Sequence, residues 1–212
     1  MNRFMGCYAR GLFSVILLFT SIAQGGNHSN GLNHCGVTKI MMNDYEPSVF
    51  YPTNNLLRQT GQTAIYCGEK IIVYGRVLDK NCVPVSDAKV YAWSANCNGK
   101  YPYKPLKTRI DKNLTEVDEH LTFTGNGTAT TNNKGEFYFI TTYPPAMHGY
   151  SSHVNVRVEH YMLGSLQTRL TLSGKKIENT QENPELNIIA DQSGTNIYDF
   201  EITLPGSSVK HY

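Results

Sequence analysis

From residue 69 onward the chain is written almost entirely in short runs with strand character, separated by turn residues, and almost nowhere in the period of an amphipathic helix. Residues 69–79 read as a strand that enters a turn at Lys80-Asn81 and is continued by Val83-Pro84-Val85, and residues 88–93 alternate as the next strand. Thr128–Thr131 and Gly135–Thr142 predict a hairpin around Asn132-Asn133-Lys134-Gly135, whose residue types suit a tight turn. His153–His160, Leu166–Leu172, Ile188–Ala190 and Tyr198–Leu204 supply the remaining strands. Strands this short and this regularly spaced predict one all-β domain, an antiparallel β-sandwich over residues 65–204 with Trp93 in or beside its core. Pro102–His120, with two prolines and many charges, reads as a long surface loop.

The flanking segments are different in kind. Residues 1–23 carry Arg3 and Arg10, an apolar stretch over 11–20, and Ser21-Ile22-Ala23 at the end, the pattern of a cleavable signal peptide. The apolar run is short for a bilayer, so no stable membrane insertion is expected after cleavage, with an uncleaved anchor as the alternative. The mature chain is therefore expected to be exported, to the periplasm or the medium. Residues 24–64 are polar, rich in Asn and Gly, and read as an irregular N-terminal arm; residues 205–212 read as a C-terminal tail. A net charge of +2 offers no electrostatic basis for nucleic acid as a partner.

Signal cleavage removes Cys7 and leaves Cys35, Cys67, Cys82 and Cys97, an even set in an oxidising compartment, so disulfides are expected. Three pairings are open. Cys82 and Cys97 flank the strand pair 83–93, and drawing them together across it would leave Cys35 for Cys67. Asn27, Asn113 and Asn126 each begin an Asn-x-Ser/Thr triplet, which matters only in a host that glycosylates exported proteins.

Three ordered blocks carry a more specific signal. The first is residues 90–101, Val-Tyr-Ala-Trp-Ser-Ala-Asn-Cys-Asn-Gly-Lys-Tyr. The second runs from Phe123-Thr124-Gly125-Asn126-Gly127 through Gly135-Glu136-Phe137-Tyr138-Phe139 to Thr141-Thr142-Tyr143-Pro144. The third is Pro144–Val156, which includes Met147-His148-Gly149-Tyr150 and His153-Val154-Asn155. Over residues 69 to about 174 the chain resembles the intradiol ring-cleavage dioxygenases, and the third block matches the ligand loop and strand of their exported branch without a gap. The resemblance implies a β-sandwich that holds Fe(III) through two tyrosinates and two histidines. Hard anionic oxygen and imidazole are the donors such an ion prefers. It also implies a small aromatic diol as substrate, cleaved by O2 between the two hydroxylated carbons.

Carried over position by position, the resemblance is incomplete. Tyr101 stands at the first tyrosinate and His153 at the first histidine. Met147 stands at the second tyrosinate and Asn155 at the second histidine. The two assisting positions, an arginine and a glutamine in the family, hold Tyr150 and Arg169. A thioether is soft and neutral, and Arg169 adds a cation where an anion has been lost, so family-type Fe(III) binding is not expected from this set. Tyr143, His148, Tyr150 and His160 lie close in sequence, and Tyr150 or His148 is the candidate substitute ligand. Plain packing stands as the alternative to a metal role for Tyr101 and His153. Two readings stay open: a non-catalytic binding module without a cofactor, and an active Fe(III) catechol dioxygenase with a substitute ligand. A homo-oligomer is compatible with the family and argued by no residue.

Overall fold

Along Lys70–Leu78 (β1) the inward positions Ile71, Val73 and Val77 are fully buried, while Lys70 and Arg76 face solvent. That two-residue period is what a pleated strand with one buried face requires. Among the described residues of this computed structural model seven further strands follow: Lys89–Trp93 (β2), Asn126–Thr130 (β3), Glu136–Thr142 (β4), His153–His160 (β5), Gly164–Thr171 (β6), Asn187–Ala190 (β7) and Asn196–Thr203 (β8). It describes residues 34–42, 44–107, 112–115, 117, 119–147, 149–172, 187–190 and 194–208; for Lys112 and 187–190 the backbone alone is described. The signal segment, Asn27 and His148 lie outside these residues.

Two four-stranded sheets, ordered β4-β1-β8-β7 and β3-β2-β5-β6, face each other as the expected sandwich. Phe139, Phe200 and Ile202 of the first sheet meet Val90, Val154, Val156, Val158 and Leu170 of the second in the main core. One pair departs from the antiparallel rule: β1 runs parallel to β8, with Val73 opposite Tyr198 and Val77 opposite Ile202. The described residues contain no helix long and apolar enough to cross a membrane.

The predicted hairpin at 128–142 is corrected. Its turn chemistry is present, since Asn132 Oδ1 accepts the backbone N–H groups of Lys134 and Glu136, and Gly135 adopts φ +75°. Yet β3 pairs with β2 and β4 pairs with β1, in different sheets. Turn residues fix a local reversal; the partner each strand takes is set by the opposing layers.

The disulfide arrangement is corrected as well. Cys35 joins Cys82, and Cys67 joins Cys97. β2 runs between Cys82 and Cys97, and its five residues span roughly 16 Å at the strand rise, which works against drawing the two together. Each bridge instead fastens a point before β1 to a turn: Cys35 to Cys82 in the turn after β1, and Cys67 to Cys97 in the turn after β2. The N-terminal segment is part of the domain packing: Leu56 and Leu57 are buried in the main core, and Leu56 exchanges backbone hydrogen bonds with Ile140 and Thr124. At the other terminus, Ser208 donates through its backbone N–H and its hydroxyl to the Asp79 carboxylate, which also accepts from Asn81 and Val83. Asn126 is fully buried, its Oδ1 accepting from Tyr51 N–H at 3.1 Å and its Nδ2 donating to Thr124 O at 3.2 Å. It is not an accessible glycosylation acceptor in the folded chain.

Candidate functional site

Because Val154, Val156 and Val158 of β5 point into the sandwich, His153, Asn155 and Arg157 point out of it. Register then assembles a row across the outer face of the second sheet: Trp93 of β2 is opposite Asn155 of β5, which is opposite Arg169 of β6. An outward row would ordinarily be wet. Here Asn155 is 1% exposed and Arg169 5%, because other segments cover it.

One cover is the loop after β2. Asn96 Oδ1 accepts from the N–H groups of Asn98 and Lys100, and Gly99 sits at φ +75°. This tight turn delivers Tyr101, whose own N–H donates to Leu114 O. A Cβ on Gly99 would stand 2.5 Å from the sulfur of Met147, so the glycine makes room for that thioether. The other cover is the N-terminal segment. Trp93 Nε1 donates to Asp44 O at 3.0 Å, and the Tyr45 ring stacks on Tyr101 with centroids 4.5 Å apart. Tyr103 closes the far side of Tyr101 edge-on at 5.9 Å. Trp93, Ala95 and Tyr101 thus form a second apolar cluster outside the sandwich, with Tyr45, Phe50, Tyr103 and Met147 against it.

A cavity of about 70 Å³ opens beside this cluster, lined by Asp44, Tyr45, Tyr101, Met147, Tyr150, His153, Asn155 and Arg169. All six positions carried over by resemblance therefore converge on one pocket. Asp44 and Tyr45 were invisible to the sequence reading. Of the other candidates, Tyr143 packs near Tyr198, and His160 lies at the far end of β5 against Tyr161. Neither lines the pocket.

The pocket is electrostatically unusual. Arg169 Nη2 donates to Met42 O at 3.1 Å and lies 3.8 Å from Asp44 Oδ2, whose side chain is largely exposed. Its guanidinium covers the Tyr150 ring at 4.0 Å, while Nε is buried without a hydrogen-bond partner. Asn155 Oδ1 is likewise buried and unpartnered. Burial pushes the Tyr101 hydroxyl up to about 12, although a hydrogen bond with the Asn155 side chain and the nearby Arg169 charge oppose this. His153 is driven below its ordinary value, mainly by burial and further by Arg169, against a hydrogen bond to Ser151 O and the Asp44 charge. The 2.7 Å contact with that carbonyl requires Nδ1 to carry the proton. In neutral His153 the unprotonated nitrogen is therefore Nε2.

The family model described as dioxygenase matches residues 45–163, more than half of the chain. A provisionally named dioxygenase of Rickettsia bellii is 48% identical over the full length of both chains. The chain belongs to the intradiol ring-cleavage dioxygenase family. Within this family, the beta chain of protocatechuate 3,4-dioxygenase from Burkholderia cepacia is 37% identical over 79 residues, covering 37% of this chain and 31% of that one. Among solved folds, the intradiol ring-cleavage dioxygenase of Tetranychus urticae superposes with TM-score 0.58 at 17% identity, covering 81% of this chain and 96% of that one. The 3-chlorocatechol 1,2-dioxygenase of Rhodococcus opacus 1CP gives 0.57 at 15% identity, covering 82% and 74%.

Intradiol dioxygenases typically depend on Fe(III), and the donors here fit that ion poorly. Tyr101 offers one phenol oxygen and His153 one imidazole nitrogen. Met147 contributes a soft sulfur and Asn155 a neutral amide. The described residues contain no cluster of three or more His, Cys, Asp or Glu. Arg169 places a fixed cation in the same cavity, where a second positive centre would be repelled.

Proposed function

We propose that this chain is an exported member of the intradiol dioxygenase family that keeps the fold and the pocket as a binding module and has given up Fe(III) catalysis. One observation carries the reading: the buried Arg169 guanidinium shares a cavity with Tyr101 and His153, while Met147 and Asn155 take the other two ligand positions. Two neutral replacements remove donors, and a resident cation raises the cost of placing a metal there by several kcal/mol. The pocket left behind is small and lined with aromatic rings, and a small aromatic molecule is the ligand it suits. Export is supported by the signal-type N-terminus and by two disulfides, which persist in oxidising compartments.

The test is metal content, visible absorption and catechol turnover of the purified chain before and after iron loading. The reading expects a colourless protein with substoichiometric iron and no ring cleavage. A red-brown protein with stoichiometric iron that cleaves catechol would overturn it. That outcome would favour the second reading, for which one observation speaks: Tyr150 lines the same pocket with its ring 6.1 Å from His153, so its phenolate is the nearest replacement for the missing anion.

A further inference from the structure

A second cavity, of about 600 Å³, lies between the edge strands β3 and β4. Thr128–Thr130 line it from one side, Glu136–Tyr138 from the other, and Pro52–Asn54 bound it. None of these residues lines the pocket described above. Both walls carry unspent backbone groups. Ile140 N–H donates to Asn54 O and its C=O accepts from Leu56 N–H, so Ile140 turns both groups away from β1. Every second residue of an antiparallel strand does the same, so Tyr138 also turns its N–H and C=O outward. Across the cavity Thr128 N–H donates to Thr53 O, and two residues on Thr130 likewise faces away from β2. Among the described residues neither Tyr138 nor Thr130 has a partner for these groups.

The length of the free edge decides what can use it. On β4 it is a single residue, because Ile140 is taken by the 54–56 segment and Glu136 exchanges backbone hydrogen bonds with Asn132. On β3 it lies between Thr128 and Thr131, whose N–H donates to Ala88 O. An added peptide strand needs several consecutive pairs, so this edge suits a compact ligand whose groups both donate and accept. The ligand has no charge to supply. Glu136, the one carboxylate on the lining, already accepts from Asn132 Nδ2 and the Tyr74 hydroxyl, with Lys134 and Arg76 close by. The ring of Tyr138 is 48% exposed, directly opposite Tyr74 on β1, and gives the cavity a flat apolar surface. Hydroxyls around a rim and C–H groups on a face are the chemistry of a pyranose. We propose that this cavity binds a neutral saccharide, with one sugar ring laid on Tyr138 and its hydroxyls bonded to the free backbone groups of Tyr138 and Thr130 and to the Asn54 amide. The site is separate from the pocket and does not depend on the binding-module reading.

The experiment is titration of the purified, isotope-labelled full chain with cellotetraose, sorbitol and a blocked Thr-Val-Thr-Val peptide, followed through the backbone amide shifts. Cellotetraose has equatorial hydroxyls and flat ring faces. It is expected to move the amides of Asn54, Thr130 and Tyr138 and to leave those of Tyr101 and Asn155 in place. Sorbitol, which has the hydroxyls without the ring, should bind about tenfold more weakly, the factor one ring contact carries. Tyr138→Ala should weaken cellotetraose by about the same factor, and Tyr138→Phe, which keeps the ring, should retain most of the affinity. If Tyr138→Ala fails to fold, Asn54→Ala decides, with a several-fold loss expected. Cellotetraose that moves none of the three amides, or that binds no better than sorbitol, overturns the proposal. Tighter binding of the peptide at the same amides overturns it in favour of strand addition.

Discussion

The ring of Tyr45 lies flat on the ring of Tyr101, centroids 4.5 Å apart and planes within 4° of parallel, although 56 positions separate them in the chain. Tyr45 reaches this position at φ +58°, a conformation that L-residues other than glycine rarely hold. The stack therefore persists against local backbone preference, and it joins the N-terminal segment to the pocket.

That conflict yields an inverted substitution series. Tyr45→Ala loses the stack and keeps the backbone penalty, while Tyr45→Gly loses the stack and relieves the penalty. Glycine is expected to be less destabilising than alanine by about 1 kcal/mol. Denaturant midpoints at equal slope measure it, and alanine equal to or better than glycine would show that φ is not strained here.

Restoring the family's donors should restore iron in a set order. Met147→Tyr with Asn155→His is expected to gain weak iron and a faint tyrosinate-to-iron band, with each single change gaining much less. Adding Arg169→Gln should strengthen both readouts by about tenfold or more, since it removes one like charge from the cavity. Metal content and visible spectra of wild type, singles, double and triple after iron loading test it. A triple variant no better than the double would show that Arg169 is not what opposes the metal.

Two titrations bound the stability of the pocket. His153 has a folded pKa below its unfolded value, so the unfolded chain takes up the proton first; stability is intact above about 6.5 and declines as pH falls through that value toward the folded one. Tyr101, pushed up to about 12 from 10, behaves oppositely: its contribution is intact below 10 and is lost between 10 and 12, amounting to about 3 kcal/mol. Tyr101→Phe should therefore flatten the alkaline limb in part, and leave a residue due to Tyr103, whose hydroxyl is also buried and pushed well up. Unfolding free energy against pH for the two proteins checks this; coincident alkaline limbs would remove Tyr101 from the account.

Each disulfide closes a long loop, with sequence separations of 47 for Cys35–Cys82 and 30 for Cys67–Cys97. Removing either as a double Ala variant should cost about 2–4 kcal/mol. Only loss of Cys67–Cys97 should also disturb the pocket, because that bridge anchors the turn that delivers Tyr101. Equal loss of the near-ultraviolet circular dichroism of the stacked Tyr45 and Tyr101 rings in both variants would contradict the difference.

The strands and the family positions were legible because both are local: alternation marks a pleated face, and the three blocks keep their order and spacing. What stayed hidden was partner choice. Asn132–Gly135 has the chemistry of a turn and says nothing of the sheet each flanking strand will enter. The cysteines show a count and not a pairing, since Cys35 finds Cys82 only once the N-terminal segment has docked. Asp44 and Tyr45 lie in a stretch without periodicity, and their place in the site comes from contacts such as Trp93 Nε1 to Asp44 O that no window of sequence spans. Arg169 could be read as a departure from the family, but its unpartnered Nε could not.

The parallel pairing of β1 with β8 also sets a timetable for folding. β1 sits inside its sheet between β4 and β8, and its β8 partners occupy 196–203. A chain emerging from its N-terminus can assemble β2, β3, β5 and β6 first, but one side of β1 stays unpaired until nearly the last residue is free. Contacts so distant in sequence close slowly. Until they close, the row of apolar residues along β1 is open to other chains, so truncation just before residue 196 should yield an aggregating product rather than a smaller stable domain.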